Sequence, residues 1–263
     1  MRIKTDSFQR IVVKVGTSTL THEGGTMNLR KIEKLVRCLA DIKNTGKDVI
    51  LVSSGAVGCG LAKLHFNRDT LTLQQKQAAA SVGQCDLIGM YSKEFAQYGH
   101  VVAQLLLTKD VVDSEVRYAN AKNTLETLLE AGVIPVVNEN DTVSGEQIRF
   151  GSNDTLSAVV ALLSDADLLV NMSDIDGLYT ADPRKNPTAK RIERVTELTE
   201  EIMALGGGEG SALGTGGMRT KLHAAEICMA AGVTAVIAHG EDPTVLYRVL
   251  GGENVGTVFG GKV

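Results

Sequence analysis

Little in this chain divides it. Its 263 residues include only four prolines, with no Pro/Ser-rich linker, no internal repeat and no low-complexity tract. A string of small modules is therefore excluded. A net charge of −4 gives no basic field, so duplex nucleic acid is excluded as a main partner. The four cysteines, Cys38, Cys59, Cys85 and Cys228, are scattered and form no CxxC pair. Reduced thiols of a cytoplasmic protein are expected in place of a disulfide framework. Five histidines make no HxxxH or HExxH pair, so no dedicated metal site is expected. No run is long and apolar enough to span a membrane, and Met1 to Asp6 lacks the apolar stretch of a signal peptide. GxxxxGK[ST], a GxGxxG after a strand, and GxSxG are all missing, which removes the P-loop, Rossmann dinucleotide and α/β-hydrolase readings.

What remains is an α/β pattern. The hydrophobic fraction is 43% and there are 28 glycines, enough for one large core with many tight turns. Ile11-Val12-Val13-Lys14-Val15-Gly16 reads as a central strand covered on both faces. Lys14 is out of place there, because an unpaired buried ammonium is costly. Either it snorkels out at the strand end or a negative partner meets it. Asn28 caps a helix through Ile42 that Gly46 stops, and Val49 to Val52 is the next strand. It runs into the small-residue loop Ser53-Ser54-Gly55-Ala56. The right-handed βαβ crossover then brings the Gly16 and Gly55 turns together at the ligand-binding edge.

Further along, Thr72 and Gln75 form a capping box for a helix ending at Val82, and a separate helix is expected from Cys85 to Gln97. Strands are expected at 101–107, 133–137, 168–172, 233–238 and 255–258, and helices at 114–130, 153–163 and 218–230. A hairpin is expected over Thr142 to Gly151, turning at Ser144-Gly145. The sum is a three-layer αβα sandwich on a largely parallel sheet, a single domain over 1–263 with lobes at 1–165 and 166–263.

Two glycine turns and a second lysine could carry chemistry. Gly214-Thr215-Gly216-Gly217-Met218-Arg219-Thr220-Lys221 is either a mobile linker or a cradle whose free amides and helix N-terminus face an anion. Asn153 and Asp154 either cap their helix or supply polar groups to a site, together with Asp141 at a strand end. Asp174, Asp176 and Asp182 fail the EF-hand spacing, and Leu178-Tyr179 reads as a wall for a flat ring. Ser54 has no histidine placed to activate it and is read as a hydrogen-bonding residue.

Taken in order, VVKVGTS (12–18), SSGA (53–56), VNEND (137–141), FGSND (150–154), DGLYTADP (176–183) and GTGGMRTK (214–221) resemble the amino-acid kinase family over nearly the whole chain. The SSGA, NENDTV and FGSNDTLSA segments are similar to members that phosphorylate the γ-carboxylate of L-glutamate, the first step of proline biosynthesis, under feedback by proline. The resemblance implies ATP and Mg²⁺. Lys14, Asp154 and Lys221 become catalytic, and Ser54, Gly55, Asp141 and Asn153 bind glutamate in the first lobe. Lys14 and Gly16 of the first lobe and Ser173, Asp174, Tyr179, Thr215, Gly216, Gly217, Met218, Arg219, Thr220 and Lys221 of the second bind ATP. No protein metal cage is expected. A homo-oligomer (dimer or tetramer) and hand-over of product to glutamyl-phosphate reductase are further implied. Sister kinases acting on acetylglutamate, aspartate or a nucleoside monophosphate, and an inactive amino-acid sensor, are the rival readings. Two departures stand out. Members commonly carry Asp where Ser152 stands, and many continue into a C-terminal PUA domain, which this chain, stopping at Val263, is expected to lack.

Overall fold

A computed structural model describes residues 8–22, 26–67, 70–145, 149–207 and 217–261. Its strands are β1 Arg10–Val15, β2 Asp48–Ser53, β3 Val102–Leu107, β4 Ile134–Glu139, β5 Leu168–Ser173, β6 Arg194–Val195, β7 Thr234–His239 and β8 Gly256–Phe259. The helices are α1 Thr17–Leu20, α2 Leu29–Asn44, α3 Ala56–Leu64, α4 Leu73–Ala96, α5 Glu115–Glu130, α6 Asn153–Leu163, α7 Glu200–Ala204, α8 Met218–Ala230 and α9 Val245–Leu250. All eight strands join one sheet in the order β3-β4-β2-β1-β5-β7-β8-β6. From β3 to β7 every pairing is parallel, and β8 reverses direction against β7.

Because β1 has neighbours and helices on all sides, its side chains divide between two cores. Ile11, Val13 and Val15 pack with α2, α4 and α9, while Val12 faces α5, α6 and α8. An alternating pattern would have left one face polar, so the unbroken apolar run was the right signal for this position. The αβα layering expected from the sequence is thus present. Asn28 caps α2 by accepting from the Lys31 amide at 3.1 Å, and Thr72 and Gln75 complete the capping box of α4.

Two expectations need correction. Residues 73–96 are one 24-residue helix, not two. Gly83 lies inside it because α3 crosses there: a Cβ on Gly83 would stand 1.8 Å from the Ala56 carbonyl oxygen, and one on Gly60 equally close to that of Ala79. These glycines record a close helix crossing rather than a break. The hairpin over 142–151 does not form among the described residues. Residues 141–143 are a turn instead, and 146–148 lie outside the described set. The short elements α1, β6, α7 and α9 had no sequence signal long enough to show a period. Pro135 is the second residue of β4, early enough in the strand for its missing N–H to be tolerated.

β1 sits where the order of connection reverses, with β2 and β4 on one side and β5 and β7 on the other. Gly16, Ser54-Gly55, Asn138-Glu139 and Ser173 all lie at the carboxyl ends of their strands. Parallel α/β sheets bind ligands outside that edge.

Candidate active site

Lys14 projects from β1 into the layer of α6 and α8 and is 7% exposed. Its partner arrives from α6. Asp154, with no exposed surface, receives the Lys14 ammonium on Oδ1 at 2.6 Å and that of Lys221 on Oδ2 at 3.2 Å. Asn171, the Cα partner of Lys14 on β5, donates to Oδ1 at 2.9 Å, and the Thr220 hydroxyl donates to Oδ2 at 2.6 Å. Both carboxylate oxygens therefore carry two donors each. Burial by itself would raise the Asp154 pKa, but the two ammonium groups and these hydrogen bonds overrule it and hold the carboxyl far below its usual range. Burial lowers the Lys14 pKa, and the Asp154 carboxylate opposes that shift. Two lysines from segments 207 residues apart in sequence meet on one buried acid, which settles the choice left open for Lys14.

The local sequence explains how these atoms are brought together. β1 gives way at once to Gly16, whose missing Cβ would lie 4.0 Å from the Lys14 Nζ. The Ser54 amide donates to the Val15 carbonyl at 3.2 Å, and Gly55, at φ +112°, turns the chain into α3. Only glycine takes that conformation readily. The Gly16 and Gly55 turns are neighbours, as the βαβ geometry required: a Cβ on Gly58 would touch the Thr17 methyl at 3.7 Å. Gly217 precedes α8, and its carbonyl oxygen lies 2.8 Å from the Thr220 hydroxyl, whose one proton it shares with Asp154 Oδ2. Thr215 and Gly216 lie outside the described residues.

Beside this cluster opens a cleft of about 380 Å³ that includes Ser54, Gly55, Asn138, Glu139, Asp141 and Asn153. Asn153 donates from Nδ2 to Ser54 Oγ at 2.8 Å and to Asn138 Oδ1 at 2.9 Å. Lys76 and Arg149 also line the cleft. Burial raises the Asp141 pKa against their opposing charges. Burial likewise raises that of Glu139, whose Oε1 accepts the Phe150 amide at 2.9 Å.

The remaining sequence-based candidates divide. Ser173 is buried at the end of β5 and donates to the exposed Asp174 at 3.0 Å, two residues beyond Asn171. Tyr179 is half-buried and donates to Asp176 at 2.8 Å, with no contact to the Asp154 cluster among the described residues. Leu178 is no wall for a ligand. It is 1% exposed and belongs to the core, with its amide bonded to the Thr257 hydroxyl. Met218 is half-buried and Arg219 exposed on the first turn of α8.

Ser152, rather than Asn153 or Asp154, is the N-cap of α6, its Oγ accepting the Thr155 amide at 3.3 Å. That frees both following side chains for the site. Sequence reasoning missed Asn171, Asn138 and Glu139. Asn171 had a signal of the same kind as Lys14, a polar residue inside Leu-Leu-Val-Asn-Met.

The donor set also bears on metal binding. No group of three or more His, Cys, Asp or Glu among the described residues could hold a metal ion, and Asp154 has no lone-pair direction left free. No described helix is long and apolar enough to cross a membrane.

Comparison with known proteins agrees with the geometry. Residues 9–239 match the model of the amino acid kinase family. The chain is 51% identical over 266 residues to "Glutamate 5-kinase" of Clostridium perfringens (strain 13 / Type A), covering all of this chain and 99% of the relative. It is 50% identical to that of Listeria innocua, covering 96% of the relative. To that of Caldanaerobacter subterraneus subsp. tengcongensis it is 53% identical over 250 residues, which is 95% of this chain and 67% of the relative. Among solved structures, UMP kinase from Bacillus anthracis superposes with a TM-score of 0.66 at 16% identity, over 97% of each chain. That likeness concerns the fold alone. The buried Asp154 holding two distant lysines, the αβα sheet around it and the full-length identity converge: the chain belongs to the amino acid kinase family and, within it, to the glutamate 5-kinases.

Proposed function

We propose that the enzyme transfers the γ-phosphoryl group of ATP to the γ-carboxylate of L-glutamate, giving L-glutamyl 5-phosphate and ADP. A carboxylate oxygen attacks the γ-phosphorus, the new O–P bond forms, and the bond to the ADP oxygen breaks with its electron pair leaving on ADP. The nucleophile is ionised at neutral pH, since a glutamate carboxyl titrates near ~4.3. No proton moves and no general base is required. The site accordingly lacks a histidine-centred acid–base pair among its described residues.

The barrier to overcome is the approach of an anion to a polyanion, so charge and position do the catalysis. Lys14 and Lys221 face the transferring group from two sides, and Asp154 orients both ammonium groups. That one carboxylate joining two lysines at the strand edge is the observation that carries the proposal. Their cost of burial is met in advance, so no reorganisation is needed as charge develops. The amides after Gly16, Gly55 and Gly217 add donors. Mg²⁺ would be held largely by ATP oxygens and water rather than by a protein cage, and would supply neutralisation of phosphate charge. Ser54, Gly55, Asn153 and Asp141 bind glutamate, Asp141 taking its α-ammonium. Ser173, Asp174, Tyr179 and the 215–221 segment bind the nucleotide. In this reading residues 1–165 form the glutamate lobe and 166–263 the ATP lobe.

The same reading makes this the first step of proline biosynthesis, cytoplasmic, with proline as feedback inhibitor. The enzyme works as a homo-oligomer and passes its acyl phosphate to glutamyl-phosphate reductase. The support for these points is the kinship with the named relatives. The test is hydroxamate trapping of the acyl phosphate with ATP, Mg²⁺ and glutamate. A strong signal with glutamate is expected. Its absence, with a signal from aspartate or acetylglutamate, overturns the substrate assignment.

A further inference from the structure

Helix α4 presents Gln77, Ser81 and Gln84, about one turn apart, to the end of β4 and the loop after it. Gln77 Nε2 donates to the Ser144 carbonyl at 3.5 Å, and Ser81 Oγ pairs with Thr142 Oγ1 at 2.9 Å. Gln84 differs from these in depth. It is 8% exposed, its Oε1 accepts from Asn138 Nδ2 at 2.9 Å, and its own Nε2 has no partner among the described residues.

A carboxamide has one accepting end and one donating end, so a chain of them has a direction. Here a backbone group sets it. The Glu139 amide can only donate, and it donates to Asn138 Oδ1 at 2.9 Å. The Asn138 nitrogen must therefore face Gln84, while its oxygen also takes Asn153 Nδ2 at 2.9 Å. The second hydrogen of Asn153 Nδ2 goes to Ser54 Oγ at 2.8 Å. Its nitrogen is then used up, and Oδ1 is the end of Asn153 still able to bind. The Ser54 hydroxyl, already accepting, keeps its O–H to donate. An acceptor and a donor thus stand side by side in the cleft, which is the polarity of an α-ammonium next to a carboxylate.

We propose that Gln84 is a positioning residue for the amino-acid substrate: together with the Glu139 amide it holds Asn138 at both ends, and through Asn138 the orientation of Asn153 and Ser54, without touching the substrate. The inference rests on the glutamate reading above and deepens it. The unpartnered Nε2 is an independent observation in its favour. Buried donors are rarely left unpaired, and an apolar side chain would fill the same space without that cost. Gln84 is accounted for by what its other end does.

The test uses Gln84→Met, which keeps the volume and removes the acceptor, and Gln84→Glu, which keeps an acceptor and removes the unpaired donor. Initial rates are measured with glutamate varied at saturating ATP and then the reverse, with Tm as a check on folding. Q84M is expected to raise the glutamate KM on the order of 10-fold, the worth of about one hydrogen bond to a charged group, while kcat and the ATP KM stay within about twofold. Q84E is expected to lie much closer to wild type than Q84M. If Q84M fails to fold, Q84E decides: a tenfold rise in its glutamate KM overturns the proposal. So does a folded Q84M with an unchanged glutamate KM, or a parallel rise in the ATP KM. In either case a wild type that turns over glutamate leaves the substrate reading standing. A wild type that ignores glutamate removes both.

Discussion

Asn153 and Asp154 are consecutive residues on the first turn of α6, yet they organise two regions built on opposite physics. A step of about 100° around the helix separates them. Asp154 turns toward β1 and β5 and gathers two ammonium groups, an amide and a hydroxyl with nothing exposed. Asn153 turns toward the ends of β2 and β4 and gathers only neutral groups at the wall of an open cleft. The difference follows from what each region receives. A phosphoryl group in transfer carries spread negative charge, which fixed cations in a low-dielectric site stabilise strongly. An amino acid carries both signs at one carbon, and in the proposed reading the cleft meets it with both kinds of group, the Asp141 carboxylate beside the oriented neutral dipoles of Asn153 and Ser54.

That contrast is broken most forcefully at Asp154. Asp154→Asn leaves two buried ammonium groups facing a neutral amide, and it should cost about 3–5 kcal/mol of stability, read from denaturant unfolding. The pH dependence carries a sign. The folded pKa of Asp154 is depressed below its ordinary 3.8, so its contribution is present above that value and is lost as pH falls below it. The stability gap between wild type and Asp154→Asn should therefore be constant from pH 8 to about 5 and shrink below about 4. A gap that closed near pH 6 would mean that the carboxylate is not held by its cations.

Lys14→Ala and Lys221→Ala come next. Each removes one cation from the transferring group and should lower kcat by on the order of 10²–10³ while the glutamate KM moves little. Near-normal turnover by either variant, with its Tm retained, would remove that lysine from the chemistry. On the side of the cleft the expected pattern is reversed. Asp141→Ala should raise the glutamate KM by about tenfold with kcat and the ATP KM nearly unchanged, the loss of one charge-assisted contact. If only the ATP KM moved, the two regions would have been assigned the wrong way round.

How far the sequence carried depended on the length and oddity of its signals. β1, α2, α5, α6, β5 and α8 each had a run of covered apolar residues or a cap, and they lie where expected. Lys14 was legible as an anomaly in an apolar strand. Its partner was legible only through the family resemblance, because nothing in the local sequence of Asp154 distinguishes a hub from a helix cap, and only the fold brings residues 14, 154 and 221 to one point. Asn171 carried the same anomaly as Lys14 but no glycine turn beside it to draw attention. Asn138 lay inside the VNEND segment that carried the resemblance but was given no role of its own, and Gln84 had no signal, since a glutamine on a helix is common on any surface. The break expected between Val82 and Cys85 erred in the opposite direction: Gly83 there is a helix contact, not a stop.

Ser152 offers the smallest effect and the finest discrimination, because it directly precedes both hubs. The family resemblance leads one to expect a carboxylate there, which raised the question of a metal or substrate contact. The structure gives its hydroxyl a different occupation, accepting the Thr155 amide at the start of α6. Aspartate serves an N-cap about as well as serine, and a negative charge at a helix N-terminus is favourable by a few tenths of a kcal/mol up to about 1. Ser152→Asp should therefore leave stability within about 1 kcal/mol of wild type, with both KM values and the Mg²⁺ dependence unchanged. Ser152→Ala should lose about 1 kcal/mol, a fall of roughly 2–4 °C in Tm, at equal kcat. Measured together, the pair separates a cap from a ligand. A cap responds to alanine and tolerates aspartate, whereas a metal or substrate contact would show a shifted Mg²⁺ requirement in the aspartate variant. In that second outcome the carboxylate would add a third function to a helix turn that now divides cleanly between Asn153 and Asp154.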